Sequence, residues 1–463
     1  MHVERLMVPR PLLVTLCLAR ALLGACALLT PAYALAQPTE SRAGLLAEPI
    51  GYTNVADAFE DGDPVDLQVS LGFEHRESAS SIERETIDYW SIDGRSNRNF
   101  VQVARHESVL NELALQLDVG VYHDVMISIR LPVVLGEDQE LRPLPGQACG
   151  ADNTSDGCLA LLEPSASGTP TPLFDLAQPL GSAHRSGSPG IELGAAWSVT
   201  NQYRASHLPT WVLRVNTLIE TGRVRAACTG SDCEPGIARG TGRLTLESRW
   251  SYRLRYLEPL FGIAQTFQWI ARGDDLFQPG ATTAGMLDAD PPWTTAMTVG
   301  SAFIPWEDRG RFQRVELDLA GKAAFVSSGR DFSPLFDALG SSSNEHLQTV
   351  DEGAASRSAP FVGLTHVDGY AQLGLELAAV VRAARYVSFA LAGGLSHLTA
   401  HLLTGDQACD TSTTAPDQDP RRGGCPEGIV NPLYRPVIDT PGQRFRMVSE
   451  VSWHLSTSAM GRF

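Results

Sequence analysis

The chain has 463 residues, 43% hydrophobic and 19% charged, with 42 Gly and 29 Pro, a composition that excludes a disordered protein. Its formal net charge is −17, with basic charge carried by Arg apart from the one lysine, Lys322, which argues against nucleic acid as a partner. Beyond the amino-terminal region no stretch of eighteen apolar residues occurs, so no transmembrane helix is expected.

Arg5 and Arg10 precede an apolar stretch from Pro11 to Leu29, and Ala34-Leu35-Ala36 offers a small-x-small cleavage site before Gln37. Residues 1–36 therefore read as a secretory signal peptide, to be set aside in reasoning about the fold. They carry three Arg and one Glu, so the remainder has a charge of −19. Leu23-Gly24-Ala25-Cys26 offers a rival reading, a lipoprotein box with Cys26 lipidated, although apolar residues run on past it. Residues 37–63 are acidic and without a clear period, and read as a periplasmic lead-in.

From residue 64 to 463 the pattern is period 2. The first strand is expected at Val65–Phe73, with Val65, Leu67, Val69, Leu71 and Phe73 alternating against polar or small residues, before a polar stretch of roughly thirty residues. Strand two, Val109–Val121, turns at Tyr122-His123-Asp124 into strand three, with Val125, Ile127, Ile129, Leu131 and Val133 on one face. A loop rich in Pro, Gly, Ser and Thr follows from Gly136 to Ser188. Strand four (Ile191 to Val199) passes through Asn201–Leu208 into strand five (Trp211 to Ile219). Strands six (Leu244 to Leu254) and seven (Phe261 to Trp269) form the next hairpin, then eight (Trp293 to Phe303) and nine (Val315 to Phe325), then ten (Leu373 to Val381) and eleven (Val387 to Leu395).

The last strand, Phe445 to Phe463, alternates Phe445, Met447, Ser449, Val451, Trp453, Leu455, Thr457, Ala459, Gly461 and Phe463 against mostly polar neighbours. Such alternation, long enough to cross a bilayer and ending on an aromatic residue, reads as the closing strand of an outer-membrane β-barrel, with Trp453, Leu455, Gly461 and Phe463 as its assembly signal. The total is twelve strands. Five short connections fall on one side and six long ones on the other, the expected arrangement of periplasmic turns and outer loops. The fold class is therefore all-β, a transmembrane antiparallel up-and-down barrel spanning residues 64–463, with a soluble β-sandwich as the alternative. Trp197, Trp211, Trp250, Trp269, Trp293 and Trp453 in strands, and Trp306 at a turn, suit interfacial girdles.

Outside the leader six cysteines fall in three local pairs, Cys149 with Cys158, Cys228 with Cys233, and Cys409 with Cys425, all in outer loops. In an exported chain these read as disulfides, the alternative being free thiols.

Leu115 to Val133, with its alternating strand, its Gly120-Val121-Tyr122-His123-Asp124 turn and its return to Leu131-Pro132, resembles the hairpin of the MetA-pathway phenol-degradation type of outer-membrane barrel. The strand end Ile219-Glu220-Thr221-Gly222 is similar to that family's Pro-Thr-Gly, with Glu220 in place of proline. The resemblance covers about residues 109–222, and the Gly-Asp that often opens the family's next strand is missing before Ile191. It implies an outer-membrane transporter and brings no catalytic or ligand residues.

Enzyme motifs are absent: there is no Gly-x-Ser-x-Gly, His-Glu-x-x-His, phosphate-binding Gly-x-x-x-x-Gly-Lys or Cys-x-x-Cys. Ser396-His397 and His454, flanked by Ser452 and Ser456, offer the residue types of a barrel hydrolase, but His397 follows the lipid-side parity. Asp274, Asp275, Asp288 and Asp290 read as a solvated acidic loop, because no EF-hand spacing accompanies them, and no metal or cofactor is expected. The parity facing the lumen is more informative. It carries Asp66, Gln68, Glu74, Glu112, Gln116 and Asp118 early in the chain, and Arg214, Asn216, Arg243, Glu247, Arg249 and Arg253 on strands five and six. Acidic and basic walls on different sides fit a channel that sorts small solutes by charge. The alternative is a barrel plugged by paired charges, structural or displaying disulfide-braced loops to an external partner. Expected partners are outer-membrane lipid, the barrel assembly machinery and a small solute; the expected location is the outer membrane of a Gram-negative bacterium.

Overall fold

Alternation places every apolar side chain of a strand on one face, and a barrel in lipid turns that face outward while each backbone group pairs with a neighbouring strand. The computed structural model follows this rule. It describes residues 49–58, 66–88, 97–144, 180–181, 184–228, 235–279, 285–308, 310–342, 344, 347, 360–410 and 429–463. The expected signal peptide, Val65, Cys149, Cys158, Cys233 and Cys425 lie outside them, and the three expected disulfides stand as proposals.

Twelve strands form the wall: β1 Leu67–Asp88, β2 Asn97–Tyr122, β3 Val125–Pro143, β4 Gly190–Thr200, β5 Thr210–Glu220, β6 Thr241–Ser251, β7 Leu257–Ile270, β8 Thr294–Asp308, β9 Gln313–Val326, β10 Tyr370–Ala384, β11 Val387–Leu398 and β12 Phe445–Arg462. Each pairs antiparallel with its chain neighbour, and β12 pairs with both β11 and β1, which closes the sheet. At the seam Gly461 faces Val69 and Thr457 faces Phe73. The Leu67 N–H donates to the Phe463 carbonyl at 2.9 Å, and the Phe463 N–H returns the bond at 2.8 Å. No edge strand is left, as a membrane interior demands.

The outer face is a continuous apolar band. Leu71, Leu115, Ile129, Ile263, Val299, Leu319, Leu377 and Leu455 are all exposed to the surroundings, Leu377 by 59%. Aromatic rings gather on this face towards the short-turn end: Trp211 stacks on Trp250 at 6.2 Å, and Trp250 tilts on Phe261 at 5.4 Å.

Several boundaries differ from those expected. The polar stretch after Phe73 is not a loop. β1 and β2 continue as a paired hairpin to Asp88 opposite Asn97. Its residues alternate in direction but are mostly polar on both faces apart from a few such as Ile82 and Val103, so the apolar pattern that marks a membrane strand stops well before the pairing does. A span needs only about 9 to 11 residues, so the hairpin stands well beyond the bilayer. The sixth strand ends at Ser251, and Leu254 only bridges Leu257 across the turn. Arg253 therefore sits in that turn rather than on the strand, pairing with Glu307 at 2.6 Å.

Phe445 and Met447 also depart from their assigned lipid parity. Ser80 pairs with Glu450 but Ile82 with Met447, so β12 carries an extra residue between them. One such slip turns every side chain beyond it to the other face. Phe445 and Met447 are consequently buried in an interior cluster, while Val451 and Trp453 remain on the lipid side.

That cluster is the floor of a cap. The outer connections fold onto the inward faces of the strand tops, so that Ile82, Val103, Leu141, Leu398 and Phe445 pack against Leu335, Leu339, Val437 and Ile438. The latter come from two short helices, α2 (Phe336–Gly340) and α3 (Pro436–Asp439), and the residue before α2; α1 (Asp274–Phe277) lies in the preceding loop. Buried charges clamp the cap: Arg185 grips Asp337 with bonds of 2.6 and 3.0 Å, and Arg444 grips Glu85 with bonds of 2.7 and 3.1 Å. In α3 the Asp439 carboxyl is pushed up to about 8 by burial, and secondarily by Asp406. Replacing Asp337 with Ala strands the fully buried Arg185. It is expected to cost about 3–5 kcal/mol locally. Hydrogen exchange should show residues 335–341 losing protection while the lipid-facing strands keep theirs; unchanged protection there would refute the clamp.

Candidate functional site: a polar chamber above an amino-terminal strap

Even-numbered residues of β2 to β5 and odd-numbered residues of β6 point into the barrel, and midway along these strands they are mostly polar. Register brings them together: Gln116 lies opposite Arg130, Arg130 opposite Glu192, Ala196 opposite Arg214, and Arg214 opposite Glu247. The result is a polar cavity of about 280 Å³ lined by Arg130, Glu192, Arg214, Arg243, Glu247 and Arg249, among others.

Most of these charges are matched. Arg130 bridges Glu112 at 2.5 Å and Glu192 at 2.9 Å, Arg243 also pairs with Glu192, and Arg249 pairs with Glu247. Asp118 is buried and receives the Gln116 amide on both carboxylate oxygens at 2.9 Å. Arg214 is different. Among the described residues no carboxylate lies within ion-pair distance of it, its Nε is buried without a partner, and one amino group donates to the Asn54 carbonyl at 2.8 Å.

Asn54 belongs to the acidic lead-in of residues 37–63, which reads from sequence as periplasmic and has no clear period. Residues 49–58 instead run across the inside of the barrel at the short-turn end. Ile50 packs on the inward-facing Leu260, Ala302 and Ile304, and Ala56 packs on Met126, Ala196 and Val212. Polar contacts follow the same path. The Ile50 N–H donates to Glu258 at 3.3 Å, Thr53 shares a hydroxyl bond with Ser251 at 2.7 Å, and Arg249 donates to the Tyr52 carbonyl at 3.2 Å with its guanidinium 4.9 Å from the Tyr52 ring centre. The Asp57 carboxylate ends the strap, accepting the Asp124 N–H at 3.0 Å and pairing with Arg204. Two glycines make room. A Cβ on Gly120 would meet the Ala58 nitrogen at 2.8 Å, and one on Gly262 would collide with the Tyr52 hydroxyl. The signal for this strap was weak: an irregular run has no period, and only the cluster of Gly, Ser and Arg on inward parities hinted that something fills the end.

The remaining expected lumen residues lie apart from the chamber. Asp66 accepts a weak bond from Gln68 at 3.4 Å just before β1, and Glu74 pairs with Arg76 at 2.6 Å further along that strand. Sequence reading did not single out Arg130 and Glu192 in the chamber, nor Glu376 on another part of the wall, where Lys322 pairs with it at 2.6 Å and His454 lies 3.5 Å from the same carboxylate. Ser396 shares a hydroxyl bond with Ser452 at 2.7 Å, while His397 is exposed on the outer face, so the wall separates the two. Among the described residues no group of three or more His, Cys, Asp or Glu is placed to hold a metal ion.

No family model matches the chain, and no curated protein matches it. Among solved structures it is similar to an outer membrane channel from Pseudomonas putida F1, at 10% identity and a TM-score of 0.39 over 90% of this chain and 99% of that one. A Pseudomonas aeruginosa FadL homologue aligns at 11% identity and a TM-score of 0.31, covering 86% and 90% of the two chains. The outer membrane protease OmpT from Escherichia coli aligns at 9% and 0.29, covering 86% and 96%. The three include a channel and a protease, and at these values they carry no argument about activity or substrate.

Proposed function

We propose that the protein is an outer-membrane channel for small polar solutes, with the chamber of β2 to β6 as its selective region and the strap as the closure of its periplasmic end. The supporting observation is the chamber itself, a polar space of about 280 Å³ enclosed by a wall whose outer face is an apolar band. A scaffold needs no such space. The resemblance of residues 109–222 to the MetA-pathway barrels points the same way, as does the leader for export to the outer membrane, where lipid and the barrel assembly machinery would be its partners.

A second reading, the plugged barrel with loops offered to an external partner, is favoured by one observation: most of the chamber's charges are already paired. The two readings part on mutation. In a channel, Arg243→Gln with Arg249→Gln removes positive potential from the wall and shifts ion selectivity towards cations. The shift should shrink as salt rises, since the Debye length falls to about 10 Å at 0.1 M. In a plugged barrel the same change leaves Glu247 unpaired and lowers stability, with no current to alter. Planar-bilayer recording of wild type and the double variant tests this, and a wild type without discrete conductance would defeat the channel reading.

A further inference from the structure

Arg214 is a half-buried cation whose Nε is buried, whose only hydrogen bond among the described residues is to a backbone carbonyl, and which lines the polar cavity. We propose that the chamber is a binding site for a small carboxylate seated on Arg214, and that the bound carboxylate competes with the strap for this guanidinium. The proposal deepens the channel reading by naming a class of solute, and it rests on that reading only for the route by which the solute arrives.

The chemistry runs as follows. A guanidinium presents five N–H donors in a planar fork, and the natural complement of the fork is a carboxylate taken up by two parallel bonds. Arg130, Arg243 and Arg249 have that complement from Glu112, Glu192 and Glu247. Arg214 does not; the nearby Asp118 is held by Gln116 and makes no ion pair with it. The Asn54 carbonyl on Arg214 is neutral, and a charge-assisted bond is roughly twice as strong as a neutral one. A carboxylate at Arg214 therefore outcompetes the carbonyl for the same donors. Asn216 lies one inward position along β5 and Arg249 across on β6, so an amide and a second cation flank the seat. A cationic solute would meet the unpaired charge of Arg214 and be repelled. The volume sets the size. About 280 Å³ lies at the low end of the range for ligand pockets and matches an acid of a few heavy atoms.

Strap and solute are coupled by linkage. Whatever binds the chamber better when the strap is away must loosen the strap, by as much as its affinity differs between the two states. Tyr52 adds to the coupling, because its carbonyl and ring both rest on Arg249.

The test uses the refolded full chain in detergent, with propionate as probe and propionamide as its neutral isostere. Calorimetry should show saturable binding of propionate and none of propionamide, and hydrogen exchange of residues 49–58 should rise with propionate alone. Arg214→Gln should weaken binding by about tenfold or more, the scale of one hydrogen bond to a charged group. Tyr52→Ala, a variant outside the wall, should bind propionate more tightly because its strap competes less well. If propionate fails to bind wild type, or the amide binds equally, the proposal is overturned. If propionate binds but strap exchange and the Tyr52→Ala affinity do not change, the competition is overturned. Conductance is read separately: current without saturable propionate binding sinks this proposal and leaves the channel standing, whereas binding without current does the reverse.

Discussion

A chain ending at Met460 is expected to be missing from the outer membrane. Removing Gly461, Arg462 and Phe463 deletes the first rungs of the seam, including both Leu67–Phe463 bonds and the Arg462 N–H bond to the Tyr386 carbonyl at 2.9 Å. The ends of β1 and β11 would then expose backbone groups at the membrane surface, where each unpaired group costs on the order of several kcal/mol. Phe463, 66% exposed, is also the terminal aromatic of the proposed assembly signal. Fractionation with heat-modifiability on gels should show the truncated chain degraded or held in the periplasm. A folded, heat-modifiable barrel in the outer membrane would instead show that the seam does not need these residues. Trp453 and Leu455, deeper in the same strand, keep their pairing with Leu395 and Gly393 in this variant, so the assay isolates the end of the strand.

Replacing residues 49–58 with a Gly-Ser segment of equal length should leave a barrel that folds and conducts several-fold more current than wild type. The strap touches inward groups on β3 to β9, yet contributes no rung to the sheet. Its loss removes bonds to Arg214 and Arg249, each worth about 1.5–3 kcal/mol because the donor is charged. The melting temperature should therefore fall while barrel assembly persists. Larger conductance with intact heat-modifiability supports the strap as the periplasmic closure. Equal conductance in the two proteins would show that the narrowest point lies elsewhere, the cap above the chamber being the next place to cut.

The residues that sequence reading misplaced share a cause. Phe445 and Met447 obey the same odd-numbered alternation as Val451 and Trp453, and nothing local distinguishes them. Only the extra residue of β12 opposite β1 turns them inward, and a bulge is a property of two strands. Arg253 looked like a further inward position, one beyond Ser251, because parity continues smoothly past the point where pairing stops at Ser251. The polar half of the first hairpin was invisible for the converse reason: its strands pair without an apolar face.

By itself the sequence determined the wall. Twelve alternating segments and the closing strand were legible, because a side chain's direction in a strand depends on its own position and period 2 is local. Tertiary structure alone decided what fills the wall and which charges meet. The strap has no period to betray it, and its place follows from carbonyls and small side chains that fit inward groups on seven strands at once. The cap draws its apolar core from segments hundreds of residues apart. Arg214 and Arg249 read alike along the chain. Arg249 pairs with Glu247, two residues back on its own strand, whereas Arg214, opposite Glu247 on the neighbouring strand, has the Asn54 carbonyl, which only the folded strap brings within its reach.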